Sequence, residues 1–204
     1  MEHDNPARPP ISGDNPFDLF ALWFAEAEKN EINDPNAMAL ATLGDEGFPS
    51  LRIVLLKGYD ANGFCFFTNT LSRKGKQLLG SPKAALTFHW KSIRRQVRIE
   101  GSVERVSEKE ADDYFNSRPR GSQIGAWASL QSSHLDARSV LENRVKEFEE
   151  KYKGVPVPRP PHWSGYRVVP RFIEFWQDMP FRLHDRVVFT KNSNGNWAQE
   201  RQYP

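Results

Sequence analysis

The sequence predicts a mainly β domain, an antiparallel barrel with helices attached. Three observations carry that prediction. Short strand-like runs separated by turn tracts fill residues 37–106. Helical patterns gather between 107 and 152 and do not alternate with strands as βαβ units would. Strand patterning then resumes near 164 and runs almost to the C-terminus.

Residues 1–14 are polar and Pro-rich, which predicts a disordered segment ahead of a single domain over 15–204. Asn15-Pro16 places Pro at the first position of a helix. Phe17, Phe20, Phe24 and Ala27 recur at helical spacing and extend it over about 16–30, until Asp34-Pro35 breaks it. Strands follow at 37–43, 50–57, 63–69, 84–90 and 94–106, with turns at 44–47 and 60–63. In the last of these, Arg95, Val97, Ile99, Gly101 and Val103 alternate with Gln96, Arg98, Glu100, Ser102 and Glu104. A short helix over about 72–80 starts at Ser72 and stops before Gly80-Ser81-Pro82. Ser107 caps a helix to about 117, and Pro119 opens another. Leu141, Val145, Phe148 and Tyr152 stripe a third over about 136–152. Four prolines stiffen the linker 155–161. Strands return at 164–177, 182–191 and about 196–203, the last two joined by a hairpin turn at 192–196.

A chain of 204 residues suits one domain, and six Trp with fourteen Phe predict a core built from large rings. The formal net charge is only +2, so bulk charge makes no case for nucleic acid. The lone Cys65 allows neither an internal disulfide nor a cysteine zinc site, and Phe64-Cys65-Phe66-Phe67 reads as a buried strand. The N-terminus lacks the basic and apolar regions of a signal peptide. No apolar run approaches the ~18 residues of a membrane span. A soluble cytoplasmic protein is expected.

Clustered cations carry the functional reading. In Ser72-Arg73-Lys74, two cations occupy a helix's first turn, where the macrodipole disfavours them. That terminus also offers free N–H groups to an anion, so a phosphate site fits, as do two solvated surface cations. Arg52-Ile53-Val54-Leu55-Leu56-Lys57 is apolar on both faces, like the strand of a sheet interior, with a cation at each end. Those cations could simply snorkel to water. Arg52 and Lys57 point to opposite faces unless a bulge intervenes, so a shared ligand must be long. In Arg182-Leu183-His184-Asp185-Arg186, period 2 puts Arg182, His184 and Arg186 on one face and Asp185 on the other. Such a row needs an anion between its members, or else it is an exposed charged edge strand. Tyr114, Arg118 and Ser122 recur every four residues, approximately on one helical face because Pro119 interrupts it. An aromatic, a guanidinium and a hydroxyl suit a phosphorylated ring, or a solvated face. Gln131-Ser132 and Trp176 make no case from spacing. No dinucleotide fingerprint, phosphate loop or nucleophile elbow is present. The histidines show no metal-ligand spacing, and no metal is predicted.

Taken in order, Arg52–Lys57, Phe67-Thr68-Asn69, Ser72-Arg73-Lys74, Arg94-Arg95-Gln96-Val97-Arg98, Ser117-Arg118-Pro119-Arg120, Gln123–Trp127, Gln131-Ser132, Glu174-Phe175-Trp176 and Arg182–Arg186 resemble the pyridoxamine 5′-phosphate oxidase family. The match runs from about residue 15 to Pro204. The resemblance implies an FMN-binding split β-barrel and a homodimer with FMN at its interface. It implies oxidation of pyridoxine or pyridoxamine 5′-phosphate to pyridoxal 5′-phosphate, with O2 as acceptor and hydrogen peroxide as product. Arg52, Ile53, Val54, Leu55, Leu56, Lys57, Phe67, Thr68, Arg73, Lys74 and Gln96 would hold FMN from one subunit. Gln131, Ser132, Trp176 and Arg186 would hold it from the partner. Lys57, Tyr114, Arg118, Ser122, Arg182 and His184 would hold substrate, the last two being the candidate catalytic pair. Many members have Tyr at the position of Phe67, and many carry a basic, Tyr-containing N-terminal segment that residues 1–14 match only in Arg8. The competing reading is a split-barrel protein that binds flavin or pyridoxal phosphate without turnover. A flavin carrier would not need Tyr114, Arg118 and Ser122.

Overall fold

Asn15 opens the first helix, α1 (Pro16–Asn30), in a computed structural model that describes residues 8–44 and 46–204. Its side chain accepts from the Phe17 and Asp18 N–H groups, and Pro16 at the first position gives up no bond. One face of α1 buries Leu19, Phe20, Trp23 and Ala27. Phe20 meets Phe64 edge-on at 4.9 Å and Trp23 meets Phe175 at 5.1 Å, which seats the helix on the sheet. Each fully buried large side chain contributes about 1.5–3 kcal/mol.

Among the described residues the sheet has nine strands: β1 (Ala37–Leu43), β2 (Pro49–Leu55), β3 (Gly58–Asp60), β4 (Gly63–Asn69), β5 (Lys83–Trp90), β6 (Arg95–Arg105), β7 (Trp163–Gln177), β8 (Asp185–Lys191) and β9 (Trp197–Arg201). The order is β2-β1-β5-β6-β7-β4-β3, with β9 on β8 and β8 on β7. Every pairing is antiparallel. Strand β7 organises the split barrel. It pairs with β6 over most of its length, while β4 takes its first part at 163–168 and β8 its last at 172–177. A register shift beside Gly101 bends the β6–β7 ladder. A Cβ on Gly101 would lie 2.0 Å from the Val169 carbonyl oxygen, so only Gly fits. The alternation read along 94–106 holds: Val97, Ile99 and Gly101 are buried and Arg98 and Ser102 exposed.

The remaining helices are α2 (Arg73–Gly80), α3 (Glu108–Ser117), α4 (Arg120–Ala128) and α5 (Arg138–Lys151). Ser107 and Glu110 form a reciprocal capping box on α3. A second, smaller core of Phe115, Ile124, Tyr152, Val157 and Trp163 ties α3, α4 and the proline linker to the start of β7. Among the described residues, no helix is long and apolar enough to cross a membrane.

Several expectations need correction. Strand β2 is not interior. It ends at Leu55 on the edge of the sheet, leaving Leu51 and Ile53 at 70% and 66% exposure. The strand expected from residue 182 begins at Asp185. Residues Pro180–Arg182 form a 3-10 turn in which Phe181 and Arg182 have φ of +57° and +61°. Pro180 has no N–H for a ladder, so Arg182, His184 and Arg186 do not share a strand face. Cys65 is half-buried rather than buried. Of the segment 1–14 expected to be disordered, residues 1–7 lie outside the described residues. Within 8–14, however, Ile11 is buried; its N–H donates to Asp185 Oδ2 at 2.6 Å and its carbonyl accepts from Arg201 at 2.6 Å. The Pro9 carbonyl accepts from Gln177 Nε2 at 3.0 Å. That stretch is strapped to the end of the sheet.

Candidate active site

Strand β2, the end of β4, the start of α2 and the α3–α4 corner enclose a cavity of about 1200 Å³. Arg52, Ile53, Val54, Leu55, Lys57, Phe67, Thr68, Arg73, Lys74, Tyr114, Arg118, Ser122, Gln131 and Ser132 all line it. Leu56 does not; it is buried in the main core. Tyr114, Arg118 and Ser122 reach the cavity although α3 ends at Ser117 and α4 starts at Arg120.

Two of the cavity's cations, Arg52 and Lys74, are held by neutral groups. Ser72, fully buried, caps α2 by accepting from the Gly75 N–H. A Cβ on Gly75 would lie 2.2 Å from the Thr70 carbonyl oxygen, so the first turn can pack this tightly only with glycine. Lys74 Nζ donates to Thr68 Oγ1 and Gln131 Oε1, both at 3.0 Å. Arg52 donates from Nη1 to the Leu40 carbonyl and Thr42 Oγ1, and from Nη2 to Gln77 Oε1. Arg118 lies over the Trp163 ring at 4.8 Å, and its buried Nη1 has no partner. Phe67 stacks on Tyr114 at 4.1 Å and on Trp163 at 5.4 Å, giving an aromatic wall. Ser132 adopts φ of +70°, a costly conformation for a non-glycine residue.

Among the described residues, no carboxylate forms an ion pair with Arg52, Lys57, Arg73, Lys74 or Arg118. Burial, and then the Arg73 charge, lowers the Arg52 pKa. Burial, and then the Arg52 charge, lowers that of Lys74. Burial also lowers that of Arg118, against a smaller opposing effect of Tyr114. Concentrated positive charge with no internal counter-ion is a site built for anions.

The other predicted residues lie elsewhere on the chain. In register across β6, β7 and β8, Gln96 neighbours Trp176 and Trp176 neighbours Arg186. The His184 ring stands 4.6 Å from Trp176, and its Nδ1 lies 3.1 Å from Asp178 Oδ1. Arg182 sits in the adjoining 3-10 turn. None of these five lines the cavity. Gln131 and Ser132 therefore stand with Arg52 and Lys74, not with Trp176 and Arg186, while Gln96 changes sides in the opposite direction. Arg186 differs from the cavity cations: Nε pairs with the buried Glu174 at 2.9 Å, Nη1 donates to the Tyr203 carbonyl and Nη2 to Gln202.

Sequence reasoning missed Trp163, Gln77 and Glu174. Trp163 and Gln77 follow a proline linker and sit within a short helix respectively, and nothing in their spacing separates them from core and surface. The run Glu174-Phe175-Trp176 carried a signal only as a motif.

A family model described as pyridoxamine 5′-phosphate oxidase matches residues 24–152. A second, described as the pyridoxine 5′-phosphate oxidase C-terminal dimerisation region, matches residues 163–204. The pyridoxine/pyridoxamine 5′-phosphate oxidase of Mesorhizobium japonicum is 59% identical over 189 residues, covering 93% of this chain and 92% of that one. That of Brucella canis is 57% identical over 190 residues, covering 93% and 94%. Among solved structures, PhzG from Burkholderia lata 383, in complex with tetrahydrophenazine-1-carboxylic acid, matches with a TM-score of 0.89 at 31% identity, covering 100% and 96% of the two chains. A pyridoxamine 5′-phosphate oxidase-related, FMN binding protein from Nostoc punctiforme matches with a TM-score of 0.75 at 17% identity, covering 95% and 100%, a likeness of fold.

Proposed function

Because the chain belongs to the pyridoxamine 5′-phosphate oxidase family, a family of oxidoreductases, we propose that it oxidises pyridoxamine or pyridoxine 5′-phosphate to pyridoxal 5′-phosphate, with FMN as cofactor, O2 as acceptor and hydrogen peroxide as product. The observation that carries this reading is the cavity's five cations without a carboxylate partner, one of which, Arg118, has a buried and unpartnered N–H. A dianionic phosphate supplies what that donor lacks. The volume of about 1200 Å³ exceeds the usual range for one small ligand and suits a cofactor stacked with a substrate.

In this reading Arg52, Arg73 and Lys74, with Thr68 and Gln131, hold the FMN phosphate at the start of α2. Lys57, Tyr114, Arg118 and Ser122 hold the phosphate of the substrate, and Ile53–Leu55 flank the flavin ring. FMN supplies the hydride acceptor when bound. The protein orients and neutralises. His184, whose Nδ1 lies 3.1 Å from Asp178 Oδ1 and 3.3 Å from the Met179 N–H nitrogen, is held at that atom and is the candidate acceptor of the substrate's hydroxyl or amine proton. Arg182 anchors the substrate beside it.

Gln96, Trp176, Arg182, His184 and Arg186 reach such a site from a partner subunit. Trp163, at the cavity, and Trp176 stand at opposite ends of β7, roughly 40 Å apart along the strand at ~3.3 Å per residue. One chain therefore presents its two half-sites at separate places, and an isologous dimer brings them together twice. The exposed Leu51, Ile53 and Leu55 on edge strand β2 are an apolar row suited to that contact. Both parts are tested together. Purified protein is expected to bind FMN at micromolar concentration, scatter light as a dimer of 23.5 kDa chains, and form pyridoxal 5′-phosphate and peroxide in equal amounts. No product from either phosphate at saturating FMN, or turnover only of a tetrahydrophenazine-1-carboxylic acid, overturns the reading.

A further inference from the structure

Gln77 does not itself line the cavity, yet it bonds two residues that do, Arg52 and Ser50, and both of its polar side-chain atoms are used. It is buried, on α2 one turn beyond Arg73 and Lys74. Its Oε1 accepts from Thr42 Oγ1 at 2.7 Å and from Arg52 Nη2 at 3.1 Å, and its Nε2 donates to Ser50 Oγ at 3.0 Å. One side chain thus ties together β1, β2 and α2, the elements that carry Thr42, Arg52 and the Arg73–Lys74 turn. Behind the same guanidinium stand the Leu40 carbonyl and Thr42 Oγ1. Every acceptor that aims Arg52 is neutral.

Aiming an arginine normally falls to a carboxylate, which gives stronger hydrogen bonds and a fixed fork. Elsewhere this chain does that: Glu174 holds Arg98 and Arg186, and Glu108 and Asp112 hold Arg159. We infer that Gln77 is a positioning residue whose neutrality matters as much as its contacts: it fixes Arg52 toward the bound phosphate without cancelling its charge. The inference rests on the reading of the cavity as an FMN phosphate site. Burial and the neighbouring Arg73 already press on the charge of Arg52. A carboxylate at position 77 would relieve that pressure in the empty protein and oppose the anion in the loaded one.

Two substitutions separate this from a merely structural role. Gln77→Glu keeps the shape, and the Ser50 hydroxyl can turn to donate to the new carboxylate. Gln77→Leu keeps the volume and removes the bonds, leaving Arg52 charged but less constrained. The readouts are FMN affinity by fluorescence quenching at fixed ionic strength, and the melting temperature of the flavin-free protein. The expected orders cross. For stability, Gln77→Glu matches or exceeds the wild type and Gln77→Leu falls below it. For affinity, Gln77→Leu loses severalfold and Gln77→Glu loses about ten- to a hundredfold, as when one charge-assisted contact to an anion is lost. The inference is overturned if Gln77→Glu binds FMN as tightly as wild type, if both readouts fall in the same order, or if Gln77→Glu does not fold. Wild-type protein that fails to bind FMN sinks the flavin reading itself and this inference with it. Wild-type binding with an unaltered Gln77→Glu sinks the inference alone.

Discussion

Two groups of cations in this chain differ in what stands beside them. At the cavity, Arg52 and Lys74 lean on carbonyl, hydroxyl and amide oxygens, and Arg118 leaves a buried N–H unmet. At the far end of β7, Arg186 and Arg98 share the buried Glu174, and the C-terminal residues Gln202 and Tyr203 take the remaining donors of Arg186. The first group is unfinished without a ligand; the second is finished as it stands. The difference teaches that a cation's partners, more than its charge, tell a binding group from a scaffold group. It also sets a limit on Arg186. If it reaches a partner's flavin, it does so with a charge already shared, as an oriented donor rather than a bare cation.

The largest expected effect breaks the finished cluster. Glu174→Ala leaves Arg98 and Arg186 without their buried carboxylate and should cost about 3 kcal/mol of stability, the low end for a broken buried pair because both arginines can reach water. Urea unfolding of the flavin-free protein measures it, and a loss below about 1 kcal/mol, the scale of an exposed pair, would make the cluster a surface feature. Next comes the unfinished cluster. Arg118→Ala removes a cation that the empty protein leaves unsatisfied, so stability should hold or rise. The kcat/KM for pyridoxine 5′-phosphate should fall about ten- to a hundredfold, with FMN affinity nearly unchanged. Equal losses of substrate and FMN binding would erase the division of the cavity between two phosphates. Arg186→Ala sharpens the contrast from the other side, weakening FMN binding and stability together, whereas Arg182→Ala, in the exposed turn, should lower kcat/KM alone.

Much of this was legible in the sequence, for identifiable reasons. Helix α1 and strands β1, β4, β5 and β6 follow their apolar periods, because those periods record contact with one core. The Ser72–Lys74 turn was visible because cations at a helix start contradict the macrodipole. The row Arg182, His184, Arg186 misled, since period 2 also arises when a turn happens to carry alternate polar residues, and Pro180 was the neglected signal. The edge position of β2 could not be read, because an apolar strand looks the same whether its sheet or a second subunit covers it. That Gln131 lies at the cavity and Gln96 beside Trp176, the reverse of the expected grouping, could not be read either, because where a residue sits relative to others is a property of topology, not of spacing. The strap at Ile11 escaped notice because a single buried residue in a proline-rich tract leaves no period.

The smallest expected effect concerns pH and tests the comparison most closely. Burial and the Arg52 charge lower the Lys74 pKa below its ordinary 10.5 in the empty protein. Folding therefore favours the neutral amine. The charged form costs stability at every pH below the lowered pKa, and that cost fades as pH rises from there toward 10.5. An anion needs the charged form. In the same alkaline window FMN affinity should fall while the contribution of Lys74 to the stability of the empty protein improves, so the two slopes have opposite sign. A cation finished by a carboxylate would show neither trend. Lys74→Arg provides the control, because a guanidinium stays charged throughout, and comparison with it cancels any titration of the flavin. FMN affinity measured from pH 7 upward should decline severalfold more steeply in wild type than in Lys74→Arg. Parallel pH profiles for the two proteins would show that Lys74 is not among the groups whose charge the cavity leaves for its ligand.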